Sequence, residues 1–161
     1  MPAITPPRTG TPFEDTAAPV NRHPEWIRPG SVGRVPNGTY FQAARVAHAD
    51  ARRALQADPG LLSAPVICSN AGGHLIFLLP PHASRDDWDV PGTRFLRDGV
   101  SVEIPPVGAV HGPDIHWLTR PEGHQALDPA RLRGALTGTP FVPPRRAPAR
   151  RTRRAKPRAT P

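Results

Sequence analysis

The sequence predicts a small α+β domain, a mixed or antiparallel sheet with two or three helices, set between a proline-rich arm and a basic tail. Three observations predict it. Short runs of branched and aromatic residues end at proline or glycine, as strands do. Two segments place apolar residues at helical spacing. With 24 prolines and 14 glycines among 161 residues, the chain has material for one modest core and not for two.

Residues 1–21 carry Pro2, Pro6, Pro7, Pro12 and Pro19 among Thr, Ala and Gly without periodicity, and read as a flexible arm. The domain spans 22–141 and starts near His23 to Trp26. After the turn signal Pro36-Asn37-Gly38, the segment Tyr40 to Ala57 has Tyr40, Ala44, Ala47, Ala51 and Leu55 at helical spacing, with Arg45, Asp50, Arg52 and Arg53 off that stripe. Asp58-Pro59-Gly60 stops the helix, because the residue before proline is biased away from helix and glycine supplies a turn. Ala64 to Cys68, then Ser69-Asn70-Ala71-Gly72-Gly73, then His74 to Leu79 read as a hairpin of two central strands, and Pro80-Pro81 ends the second. Past Trp88-Asp89-Val90-Pro91-Gly92 and a turn at Asp98-Gly99, the apolar Val100, Val102 and Ile104 alternate with Ser101 and Glu103. That alternation is a half-buried strand with Glu103 on its polar face. Ile115 to Leu118 makes a further strand. The last helix has Asp128 as N-cap, Pro129 at its first position, Leu132, Ala135 and Leu136 as its stripe and Gly138 as its stop, with Gly134 weakening it.

The net charge is +8, and its location matters more than its size. Residues 1–141 hold as many arginines as acids. The last twenty hold Arg145, Arg146, Arg150, Arg151, Arg153, Arg154, Lys156 and Arg158 with no acid and five prolines. This 142–161 tail has only Val142 as a sizeable apolar residue, so burial cannot offset the entropy of ordering it, and a disordered, polyanion-binding tail is expected. If all eight charges met phosphates, log K against log salt would fall with a slope of about −7. Drift toward Arg, Pro and Ala in an unconstrained tail is the bland alternative.

Several chemistries are excluded. The longest aliphatic and aromatic run, Leu75 to Leu79, is far too short to span a membrane, and no apolar leader opens the chain, so no membrane partner is expected. A single cysteine, Cys68, makes neither an intrachain disulfide nor a cysteine-based zinc site, which fits the cytoplasm. There is no nucleophile elbow and no phosphate-binding loop. Cys68 in an apolar strand reads as an inert core thiol. Among seven histidines the nearest approach to a metal cluster is His111 and His116 with Asp114. The most informative constellation is Gly72-Gly73-His74 at the head of a strand, with Asp89 and Glu103 on later segments that can converge on one face. Glycines admit a phosphate close to the backbone, an imidazole contacts it, and carboxylates hold the divalent cation that nucleotidyl transfer requires. The plain alternative is a hairpin turn and solvated polar residues. Trp26, Trp88 and Trp117 offer stacking surfaces for bases but read first as core.

The succession Ser69 to Phe77, then Trp88 to Gly92, then Val100 to Pro106, then Ile115 to Leu118, resembles the C-terminal half of the bifunctional primase-polymerase domain of the archaeo-eukaryotic primase superfamily. More closely, it is similar to small primase-polymerase-like proteins of high-GC bacteria. The resemblance covers about 34–136, with Ala126 to Leu132 similar to the start of the terminal helix. It implies a nucleotide-contacting role for His74 beside Gly72 and Gly73, a metal-binding role for Asp89, and a Mg or Mn cofactor if the chain is active and none otherwise, while Glu103 stays a metal candidate from the constellation above. It also makes residues 39–43 a strand, with helix from about Val46, against the helical stripe. The chain departs from the family at the first carboxylate pair. Gln42 stands there, and a neutral amide cannot balance a divalent pair. Three readings follow. The first is a degenerate, catalytically silent module that binds nucleotide or nucleic acid, DNA ahead of RNA. The second is a regulatory or interaction protein whose tail alone binds. The third is an active metal-dependent primase or polymerase using His74 and Asp89.

Overall fold

The computed structural model describes residues 24–86, 88–121 and 127–142. The arm, the eight basic residues of the tail and Asp87 lie outside them. In chain order the elements are β1 (Gly33–Pro36), β2 (Gln42–Ala47), α1 (His48–Ala57), a 3-10 turn (Pro59–Ser63), β3 (Val66–Ser69), β4 (His74–Leu79), β5 (Thr93–Phe95), β6 (Ser101–Ile104), β7 (Ile115–Thr119) and α2 (Pro129–Thr137). The fold is α+β with two helices and antiparallel sheets, as the sequence predicts.

β4 is buried along its whole length, and its unbroken apolar run suits the strand with neighbours on both sides. The five-stranded sheet has the order β5-β2-β4-β3-β7, and β1 pairs with β6 in a second, two-stranded sheet. Alternation along the strands divides the core in two. Ala44, Val46, Val66, Cys68, Leu75, Phe77 and Leu79 face the helices and pack with Ala51, Ala54 and Leu132. Ala43, Ile67, Ile76, Leu78 and Trp117 face the other way and pack with Val35, Val102 and Ile104 of the small sheet, and with Ile27. The result is three layers: helices, large sheet, small sheet. Burying a side chain such as Phe77 or Trp117 stabilises this arrangement by about 2–3 kcal/mol each. The Trp117 indole also donates to the Pro105 carbonyl at 3.1 Å, so its one polar atom is satisfied.

The β3–β4 hairpin forms as expected, with Ser69 opposite His74 across the Asn70 to Gly73 turn. On β7, Trp117 pairs with Ile67 but Thr119 with Val66, so Leu118 bulges out and is 45% exposed. β6 has Val102 and Ile104 buried and Ser101 and Glu103 exposed. The helical stripe drawn from Tyr40 is corrected. Residues 42–47 are a strand and the helix begins at His48, one residue after the strand ends. The strand wins because β4 and β5 supply hydrogen-bonding partners on both of its edges. No side chain caps α1, whose His48 amide instead donates to the Gly73 carbonyl at 3.1 Å.

Asp58 does more than stop α1. Its carboxylate accepts from the Gly60 amide and takes a two-pronged hydrogen bond from Arg131, at 2.6 and 2.7 Å, tying the end of α1 to α2. α2 follows its sequence signals: the Asp128 side chain accepts from the Ala130 amide, and Gly138 is left-handed at φ 74°. Gly134 serves the chain reversal after α2. An added Cβ there would lie 2.6 Å from the Thr139 carbonyl oxygen, so only glycine lets the returning chain close on the helix.

Candidate functional site

The small sheet covers only part of the outer face of the large one. At the uncovered end the strand register brings together residues far apart in sequence. Arg45 of β2 stands directly opposite Arg94 of β5 and, on its other side, opposite Ile76. Two residues along β4 from Ile76, His74 lies diagonally from Arg45 and directly opposite Ala47 and Ser69. Both arginines are exposed, and neither forms an ion pair among the described residues. Like charges placed directly across a sheet repel, so this pair is an unbalanced positive spot rather than a packing device.

His74 is 9% exposed, and its ring is held by its own turn. Its Nδ1 lies 2.8 Å from the Gly72 carbonyl oxygen. A carbonyl only accepts, so Nδ1 carries the proton and, in the neutral ring, Nε2 keeps a bare lone pair. Gly72 is required for this closeness, since a Cβ would collide with the imidazole and with the Ser69 hydroxyl. Burial pushes the His74 pKa below its ordinary 6.5; the Gly72 hydrogen bond opposes this, and Arg45 and His48 add to it. The site therefore presents two fixed cations and a neutral hydrogen-bond acceptor. That combination suits an anion that also carries hydroxyl or N–H donors.

The other predicted residues lie elsewhere. Asp89 is exposed on the helix side, lining a concavity of about 540 Å³ with Ala130, Gly134, Thr137 and the chain after α2. Glu103 is on the outer face of the small sheet, 3.3 Å from Arg34, an exposed pair that contributes little. The expected convergence of Asp89 and Glu103 with His74 is therefore not formed. Among the described residues no three His, Cys, Asp or Glu side chains gather as a metal site, His111, Asp114 and His116 included. The reason is topological: β6 pairs with β1 in the small sheet and not with the large one, and Asp89 lies beside α2.

Gln42 is buried in a polar network. Its Oε1 accepts from Asn37 at 2.7 Å and its Nε2 donates to Asp98 at 2.8 Å, welding the Asn37 turn to the Asp98 turn. A carboxylate in its place would face the Asp98 carboxylate without a proton between them. Cys68 donates to the Asn70 side chain at 3.3 Å and lies 3.7 Å from His48 Nε2, and burial pushes its thiol pKa up, away from the reactive thiolate. Arg45 and Arg94 are the site residues missed in the sequence. The signal for Arg45 was its alternation with the buried Ala44 and Val46, masked by the helical spacing of the same stretch.

Compared with known proteins, the chain matches no family model, no curated protein and no solved structure. None of its described helices is long and apolar enough to cross a membrane.

Proposed function

We propose that this chain is a primase-polymerase-like binding module that holds nucleotide or nucleic acid on the uncovered end of its large sheet, without catalysing phosphoryl transfer. The observation that carries the reading is the Arg45–Arg94 pair, two exposed arginines at directly opposed strand positions, without an ion pair among the described residues, with Arg45 near His74. An anion bridging them removes their mutual repulsion, and a phosphate does so with the planar, two-pronged geometry that arginine favours. The neutral Nε2 of His74 accepts from a sugar hydroxyl or a base N–H. Gln42, engaged with Asn37 and Asp98, supplies no charge to a divalent cation. The basic tail adds sequence-independent attraction through counterion release.

The test is a salt titration of labelled single-stranded DNA against the full chain and its Arg45→Ala/Arg94→Ala variant. The variant is expected to lose about 1.4 from the slope of log K against log salt, roughly 0.7 for each phosphate contact. An unchanged slope and affinity contradict the reading and leave binding to the tail. Nucleotide incorporation with Mg or Mn that Asp89→Ala abolishes contradicts the non-catalytic half of it.

A further inference from the structure

Tyr40 is 56% exposed, unusual for an aromatic ring at the foot of a central strand. It lies nearly parallel to Trp26, at an interplanar angle of 20° with centroids 6.3 Å apart, and Trp26 leans in turn on the buried Phe41 at 5.1 Å. The three rings form a pile running from the core to the surface. Phe41 is anchored, Trp26 is half-buried, and Tyr40 rests one face on Trp26. An exposed ring held in this way loses little further freedom when something stacks upon it.

The pile and the arginine pair lie on neighbouring stretches of chain. Tyr40 is five residues before Arg45, which at about 3.3 Å per residue of strand sets them no more than roughly 17 Å apart. The turn that carries Tyr40 is also bonded to the chain beyond β5. The Asn37 amide donates to the Val100 carbonyl at 2.9 Å, and the Asn37 side chain donates to the Arg97 carbonyl at 3.3 Å. Exposed Arg97 thus lies on the chain between Arg94 and this turn.

We propose that Tyr40, backed by Trp26, is a base-stacking platform and that the ligand is single-stranded nucleic acid, its phosphates on Arg45 and Arg94 and a base on the Tyr40 ring. The proposal rests on the binding reading above and narrows its ligand. Stacking needs a base with a free face, which a single strand offers and the interior of a duplex does not. A separation of several residues between cations and ring suits an extended strand of a few nucleotides better than one mononucleotide.

The experiment measures binding of a labelled oligothymidylate, a duplex of equal length and a mononucleotide to the full chain and to Tyr40→Leu, Tyr40→Phe and Arg45→Ala/Arg94→Ala. Tyr40→Leu is expected to weaken the oligothymidylate about 5- to 100-fold without changing its salt slope, to leave duplex and mononucleotide binding unchanged, and to be rescued in Tyr40→Phe. Quenching of Trp26 emission by the oligothymidylate, lost in Trp26→Leu, supports the same stack. If Tyr40→Leu binds the oligothymidylate as the parent does while the arginine variant is weakened, the platform is overturned and the binding reading stands. If neither changes binding, both fall. If Tyr40→Leu lowers thermal stability but not affinity, the ring pile is only a cover for the core, and the proposal is overturned.

Discussion

The two faces of the large sheet solve the same packing problem and end in different electrostatic states. On the helix face α1 and α2 cover the strands, and two ion pairs form at their edges, Asp58 with Arg131 and Asp50 with Arg53. On the opposite face the small sheet covers the apolar residues and stops, leaving Arg45 and Arg94 exposed beside a buried neutral imidazole. Two like charges placed opposite one another contribute nothing to stability there. The two faces thus differ in how their charges are placed: ion-paired at the helix ends, and set opposite one another across β2 and β5 on the other face.

The largest effect is expected in the shared core. Phe77→Ala removes a fully buried ring from the helix face and costs about 3–5 kcal/mol, read as a lowered urea midpoint. On the boundary between the faces, Gln42→Glu replaces a donor to Asp98 by a second carboxylate. It costs about 1–3 kcal/mol in the same assay, and confers no nucleotide incorporation. A gain of stability there would show that the Asn37–Gln42–Asp98 network is not what holds the two turns together.

Asp58→Asn is next. The Arg131 hydrogen bond holds the Asp58 pKa below its ordinary 3.8, against the opposing effect of burial, so the carboxylate stabilises the fold above that value and the contribution is lost as pH falls through the lower, folded pKa. The pair is partly solvated, so its loss at neutral pH costs about 1–2 kcal/mol. Acid unfolding at pH 2–4 becomes shallower in this variant.

His74 is shifted in the same direction for a different reason, since burial disfavours its charged form. Its folded pKa is depressed below 6.5, so the unfolded chain takes up the proton first; stability is complete above about 6.5 and declines as pH falls below it. Denaturation midpoints measured between pH 7.5 and 5 should show that decline in the parent, and less of it in His74→Gln.

How much of this was legible in the sequence depended on how local each signal is. The β3–β4 hairpin, β6 and α2 carry their evidence within a few residues: a Gly-Gly turn, strict alternation, an Asp-Pro start and a glycine stop. β1 and β5 do not. They have only four and three residues, contain Pro36 and Arg94, and exist because β6 and β2 pair with them. The site divides in the same way. Gly72-Gly73-His74 could be read as a ligand-facing turn, but its partners come from strand register, and Arg45 sat in a stretch whose alanines also fit a helix. Gly134 looked like a helix weakness because the returning chain that needs its missing Cβ is a tertiary contact.

The smallest expected effect is the most telling about the contrast. Arg45→Ala/Arg94→Ala should leave the urea midpoint unchanged or raise stability by about 0.2–1 kcal/mol, since it removes a like-charge pair across two strands. Paired with its loss of binding, that would separate ligand recognition from folding at one site.

The central claim, that the uncovered end of the sheet and not only the tail receives the ligand, is tested most directly by backbone amide chemical shifts. They would be recorded on the full chain as a single-stranded oligonucleotide is added. Perturbations are expected at Arg45, Gly72 to His74 and Arg94 alongside any in 143–161. Shifts confined to the tail, with those residues unmoved at saturation, would contradict it.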